Sequence, residues 1–403
     1  MSDRPSAVGQ SSGSPLGAPL YFLLSATSAL SPFALIVLAP GLDALARDFA
    51  VGPGRIQFLI SAYLLGLACA QPISGILCDR FGRRPVLLTG FAIFVVTSFA
   101  CAFVGRLDLL IALRFLQAAG ASVGTVTSRA VVRDMHDAEG SAKALSFVAA
   151  AMGLAPILAP TLGGVVSTAY GSQSVFLLSA TLGAAIWLWA LVSYPETSDP
   201  RSHDHPTLGQ WFDSYKQLVR SRIFVGYSLM YGFSQAVFLI FMTVGAAVFA
   251  NELGADQTSF GITWGGVAIA YVGGAMLCGK LTMNFGQRRL LRVGLTIMLI
   301  GGWALLALIA LFGVTFWTLT GPLLILSLAN GIVTPLTLAG AVSYRPMIAG
   351  SSSGLSTAIG LCLSGAFTIV AGTIYVDTFW PVAIMMTAAA TLTAATGWLT
   401  RDE

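Results

Sequence analysis

One aspartate and three arginines are crowded into Gly75-Ile-Leu-Cys-Asp79-Arg80-Phe-Gly82-Arg83-Arg84-Pro-Val-Leu87, between the apolar runs 56–76 and 85–104. Charges this dense do not lie in hydrocarbon, so the stretch predicts a short turn at a membrane surface. The chemistry open to it is ionic latching, not bond making. Asp79 is a fixed acceptor at a helix end, and the arginines form a fork for carboxylates, carbonyls or lipid phosphate. Gly75 and Gly82 let helices approach and the chain reverse. A loop that only sets orientation would use the same arginines. A second isolated charge, Arg114, opens Arg114-Phe-Leu-Gln117-Ala-Ala-Gly120 inside another apolar run. It either snorkels to the nearby interface or faces a wet cavity or a partner. A third element, Pro156-Ile-Leu-Ala-Pro160-Thr-Leu-Gly163-Gly164, removes two backbone hydrogen bonds four residues apart and predicts a kinked, flat helix face.

The elements that position these residues follow from composition. Of the 403 residues, 56% are hydrophobic and 9% charged, with a mean hydropathy of +0.82. A soluble domain carries about 25% charged residues, so the fold class is an all-α integral membrane protein. At about 20 residues per span, twelve transmembrane helices are expected near 18–42, 55–78, 85–104, 107–130, 144–168, 173–193, 223–250, 258–283, 288–312, 315–342, 352–375 and 378–399. Residues 1–17, rich in Ser, Gly and Pro, read as a disordered tail. Nearly all lysines and arginines fall in loops on the side holding both termini, against Arg47, Arg55 and Arg106 on the other. Both termini are therefore expected in the cytoplasm.

The polar segment 194–222 divides the chain into six-helix halves, 18–193 and 223–403. Gly279-Lys-Leu281-Thr-Met283-Asn-Phe285-Gly286-Gln-Arg288-Arg289 repeats the charged turn in the second half, with Met283 where the first has Asp79. Such repetition marks two-halved secondary transporters. The glycine pairs Gly120/Gly124 and Gly261/Gly265 read as helix contacts instead of phosphate loops.

The stretch 75–87 resembles, position by position, the signature G-x-L-x-D-R-x-G-R-[RK]-x-x-L between helices 2 and 3 of major facilitator superfamily transporters. The Arg114 stretch resembles that superfamily's R-x-x-Q-G-x-G element, tied to proton coupling and cavity access, with Ala118 replacing the first glycine. The prolines of 156–164 resemble the A-P-x-x-A-P-x-x-G-G element of its exporters. Ala159, Arg129-Ala-Val-Val-Arg133-Asp134 and Ala349-Gly350-Ser-Ser-Ser-Gly354 are similar to the bicyclomycin/chloramphenicol-resistance type of drug:proton antiporter. The resemblance implies two pseudo-symmetric six-helix bundles around a cavity lined by helices 1, 4, 7 and 10. Gln117, Tyr227, Tyr231, Gln235 and Asn330 would then face substrate. Helix 11 should begin near Ser351 to Gly354 with free N–H groups and a positive dipole end, so Asp79 is expected to lie against that end when the cavity faces outward, with Arg83 reaching toward Asp134. One departure stands out. The subgroup's helix-1 acid is replaced by Ile36, leaving Asp43 as the nearest candidate for proton coupling, assisted by Arg114.

The functional expectation is a secondary transporter of the bacterial inner membrane that exports small lipophilic or amphipathic compounds in exchange for protons, working as a monomer. An exporter of one metabolite, such as an amino acid or sugar, and a gradient-independent facilitator stay open. No motif points to an enzyme, a cofactor or ATP. The five cysteines form no C-x-x-C pair, and His203 and His205 have no further ligands nearby, so no metal is expected. The net charge of +4 sits in inter-helix loops, which explains it without nucleic acid.

Overall fold

Long apolar segments must satisfy their own backbone hydrogen bonds in lipid, and helices do this. The computed structural model describes residues 18–51, 53–56, 58–197, 208–255, 257–375 and 378–400. The tail 1–17 and His203 and His205 lie outside these. The long helices are α1 (Ala18–Ile36), α2 (Phe58–Phe81), α3 (Arg83–Cys101), α4 (Leu107–Met135), α5 (Ala138–Tyr170), α6 (Ser174–Ser193), α7 (Arg222–Asn251), α8 (Gln257–Phe285), α9 (Gln287–Phe312), α10 (Phe316–Ser343), α11 (Ala349–Ile374) and α12 (Trp380–Thr396). Eleven are long and apolar enough to cross a membrane by themselves, and α12 reaches comparable length with the 3-10 turn Gly397–Thr400. A connecting helix, Leu208–Arg220, separates the two sets of six.

Three boundaries differ from the sequence expectation. The first helix ends at Ile36 instead of continuing to 42, because the chain enters the 3-10 turn Ala39–Gly41 at Pro40 and then the short helix Leu42–Asp48. α4 continues past 130 to Met135, carrying Arg133 and Asp134 on helix instead of loop. α5 starts at Ala138, because the Asp137 carboxylate accepts from the Gly140 N–H at 2.8 Å and caps it.

Internal repetition survives in the backbone. Gly82 and Gly286 occupy equivalent turns, both in the left-handed region with φ of 95° and 77°. α2 packs across the halves on α11, and α5 on α8. The first contact is close: a methyl group on Gly75 would stand 2.4 Å from the Gly350 carbonyl oxygen. Large apolar side chains such as Val96, Trp303 and Leu311 stay exposed around the outside, as a lipid-facing surface requires.

Candidate functional site

α11 begins at Ala349 with no side-chain cap, leaving free N–H groups and the positive end of a helix dipole. Asp79, at the last turn of α2, fills that need. Its Oδ1 accepts from the Gly350 N–H at 3.0 Å; its Oδ2 accepts from the Ser351 N–H at 2.7 Å and the Ser351 hydroxyl at 2.6 Å. Arg83 donates from Nη1 to Asp79 at 2.8 Å and to the Cys78 carbonyl at 2.7 Å, and from Nε to Asp134 at 3.1 Å. The Asp79 and Arg83 side chains are only 3% and 5% exposed. The carboxylate thus gathers four donors while joining the two halves.

Around this clasp the other predicted residues divide. Arg80 leans over the Phe81 ring at 5.1 Å, and Arg84 donates to the Leu191 carbonyl at 2.7 Å, so both stand outside the clasp. Sequence reasoning missed Glu196. Its two carboxylate oxygens accept the Arg83 and Arg84 backbone N–H groups at 2.9 and 3.1 Å, capping α3. A methyl group on Gly82 would meet that carboxylate at 2.6 Å, so the glycine is needed for space as well as for φ. Thr197 adds a bond to Asp134 at 2.7 Å. An acid just past the end of α6 was the available signal. From the connecting helix, the Tyr215 hydroxyl donates to the Pro72 carbonyl at 2.6 Å, and burial pushes its phenol pKa up.

The repeat forms no such clasp. Met283 is 52% exposed, and a methyl group on Gly279 would stand 3.3 Å from the Ser146 Cβ of α5.

Arg114 does not snorkel. It is 1% exposed and donates to the carbonyls of Ala34 (3.1 Å) and Leu59 (3.4 Å) and to Gln117 Oε1 (2.7 Å), with its guanidinium 4.2 Å from the Tyr63 ring centroid. Gln117 passes the contact to Ser98 on α3 at 2.6 Å. These two residues therefore staple α1, α2, α3 and α4 together. Gly163 of α5 lies so near α1 that a methyl group would stand 2.1 Å from the Val37 carbonyl oxygen, and Gly164 faces Pro40. Pro156 and Pro160 are half-buried on the same helix.

Of the expected cavity residues, Tyr227 packs against Gly340 and Tyr231 against Gly360, both buried. Gln235 is half-exposed, and its Oε1 accepts from Asn330 at 3.2 Å and Thr334 at 3.4 Å. Phe238, one turn beyond it, and Trp264 of α8, neither singled out from sequence, pack as a tilted ring pair with centroids 4.7 Å apart. The backbone of Asp43 lies in the helix Leu42–Asp48; its side chain is outside the described residues.

The two ends of the molecule differ. Bonds joining the halves, from Asp79 to Gly350 and Ser351 and from Arg129 to Thr357, lie toward the face that carries Asp79. Toward the opposite face, Gly261 and Gly265 of α8 have open space where a side chain would stand. The expectation that this pair makes a helix contact is therefore not met in this conformation, whereas Gly120 and Gly124 do pack tightly, against Gly90 and Thr27.

The chain matches the Major Facilitator Superfamily over residues 22–355. It is 28% identical over 397 residues to the chloramphenicol resistance protein of Pseudomonas aeruginosa, covering 92% of this chain and 90% of that one. It is 28% identical over 337 residues to multidrug resistance protein D of Escherichia coli K12, covering 83% and 84%. In fold it is similar to the human organic anion transporter TETRAN, with a TM-score of 0.76, 17% identity and coverage of 96% and 100%. With twelve helices in two repeated sets and a clasp between them, the chain belongs to the Major Facilitator Superfamily and is a membrane transporter, not an enzyme.

Proposed function

We propose that this protein exports small lipophilic or amphipathic compounds across the bacterial inner membrane, with both termini in the cytoplasm. The observation that carries the reading is the one-sided interlock. The halves 18–193 and 223–403 are tied by Asp79 on one face, with open space around Gly261 and Gly265 on the other. A binding cavity between two rocking halves, closed at one end and open at the other, is alternating access caught in one state. The names of the relatives, a chloramphenicol resistance protein and a multidrug resistance protein, support drugs as cargo. Half-buried Gln235, Phe238 and Trp264 offer an aromatic wall with one amide, suited to recognition by shape.

In this reading Asp79, Arg83 and Asp134 form the cytoplasmic latch, stiffened by Gly75, Gly82 and Glu196. Pro156, Pro160, Gly163 and Gly164 give α5 the smooth face on which α1 moves. Protons are the counter-ion, and one chain suffices for the cycle. A second reading, a facilitator without proton coupling, draws on one observation. No Asp or Glu lies deep in any membrane-spanning stretch of the sequence. Drug-driven proton movement in everted vesicles separates the two. Chloramphenicol should release protons from preloaded vesicles if exchange occurs. Drug movement without proton flux would leave the facilitator, and no drug movement would end both readings.

A further inference from the structure

Arg129 is a second arginine buried in α4, and it differs from Arg114 in what holds it. It is 3% exposed and donates to the Thr357 hydroxyl on α11, across the divide between the halves. Thr357 gives its own proton to the Ser353 carbonyl at 2.8 Å, which leaves its oxygen free to accept. The Tyr231 phenol lies beside the guanidinium, and Tyr271 lies close by. Among the described residues the ion pairs are Arg55–Asp108, Arg83–Asp79 and Arg83–Asp134, so no carboxylate neutralises Arg129. Its charge is permanent, because a guanidinium does not give up its proton in proteins.

Position makes this charge consequential. Thr357 is six residues beyond Ser351 on α11, which is about 9 Å further into the membrane at 1.5 Å per residue. The contacts of Arg114 lie within the first half, so rocking of the halves leaves them intact. The Arg129–Thr357 bond joins the halves just inside the Asp79 clasp. It must break when that face opens, leaving a guanidinium on the wall of the new cavity with the two tyrosines. A desolvated guanidinium needs acceptors, and it repels a second cation over several ångströms in a medium of low dielectric.

We propose that Arg129 is the charge filter of the cavity when it opens on the Asp79 face, admitting neutral and anionic amphiphiles that carry a hydrogen-bond acceptor and rejecting permanent cations. The proposal rests on the export reading above, which makes that opening the entrance for substrate.

The test uses the full-length protein in everted vesicles and three dansyl amides alike except for a hydroxyl, a carboxylate or a trimethylammonium tail. Wild type should take up the neutral and anionic probes at least about tenfold faster than the cationic one. Arg129→Gln should erase most of that preference, and Arg129→Lys should retain it. Equal uptake of all three by wild type, or an unchanged preference in Arg129→Gln, would overturn the filter. A second arm does not depend on transport. In Thr357→Cys, the ratio of labelling by an anionic over a cationic methanethiosulfonate added on the cytoplasmic side should fall about tenfold when Arg129 is also changed to Gln. A ratio that ignores Arg129, or a cysteine that never reacts, sinks the proposal. If the first arm shows no uptake of any probe or of chloramphenicol while the second shows the charge effect, export fails and the exposed cation stands.

Discussion

Ser351 closes on Asp79 twice, through its N–H at 2.7 Å and its hydroxyl at 2.6 Å, although the two residues are 272 positions apart in the chain. Both bonds end on one carboxylate oxygen, and both exist only while α2 and α11 are together. Hydrogen bonds to a charged group contribute about 1.5–3 kcal/mol each. The clasp therefore weights one conformation without touching the cavity. Asp79→Asn should cut transport by about tenfold or more and leave equilibrium drug binding within about threefold. Transport rate and binding by fluorescence quenching on the same preparation check this. A loss of binding as large as the loss of transport would place Asp79 in the substrate site instead.

The repeat supplies an internal control. Met283 occupies the equivalent turn but is half in the open and makes no polar contact. Met283→Ala should leave transport within about twofold of wild type, since an exposed substitution away from caps and cores changes little. Asp79→Ala, in contrast, strips the α11 end of its acceptor. The comparison is made at matched membrane expression, and equal damage from the two changes would mean that both turns carry the closure.

How far the sequence carried this picture depends on the kind of interaction. The charged turn was legible because ions at a membrane surface admit few arrangements, and Asp79, Arg83 and Asp134 meet as their order implies. Glu196 was only half legible: an acid just past the end of α6 was visible, but its role depends on α6 ending beside α3, which is a tertiary fact. Arg114 left two readings open from sequence, and only the positions of the Ala34 and Leu59 carbonyls and the Tyr63 ring decide between them. Tyr227 and Tyr231 were placed in the cavity by helix number alone. Which side of a helix faces inward depends on its packing, and both rings are spent on glycines of neighbouring helices in this conformation.

Open space around Gly265 allows a prediction about the conformation not seen here. If α5 and α8 close on the opposite face when the Asp79 face opens, Gly265 is a contact residue in that state alone. Gly265→Leu should then fold normally, with thermal stability in detergent close to wild type, because nothing stands within 4 Å of the added carbon. Transport should fall at least about tenfold, since overpacking the other state by 1–3 kcal/mol shifts the balance toward this one. Normal transport would mean that this stretch of α8 faces lipid throughout the cycle.

The proton path is narrowed by residue type, because Ile36 stands where the antiporters this chain resembles are expected to carry an acid, and the buried arginines within the spans, Arg83, Arg114 and Arg129 among the described residues, cannot titrate. Asp43 remains, in the short helix after Pro40. A carboxylate is the side-chain type that can exchange a proton for a drug molecule, and Asp43 is the acid that the sequence places next to the first helix. Counterflow needs no net proton movement, whereas gradient-driven uptake does. Asp43→Asn should therefore preserve drug counterflow and abolish the response to an imposed pH gradient. If wild type shows no gradient response, the protein is a facilitator; if Asp43→Asn retains a full one, the coupling group lies elsewhere.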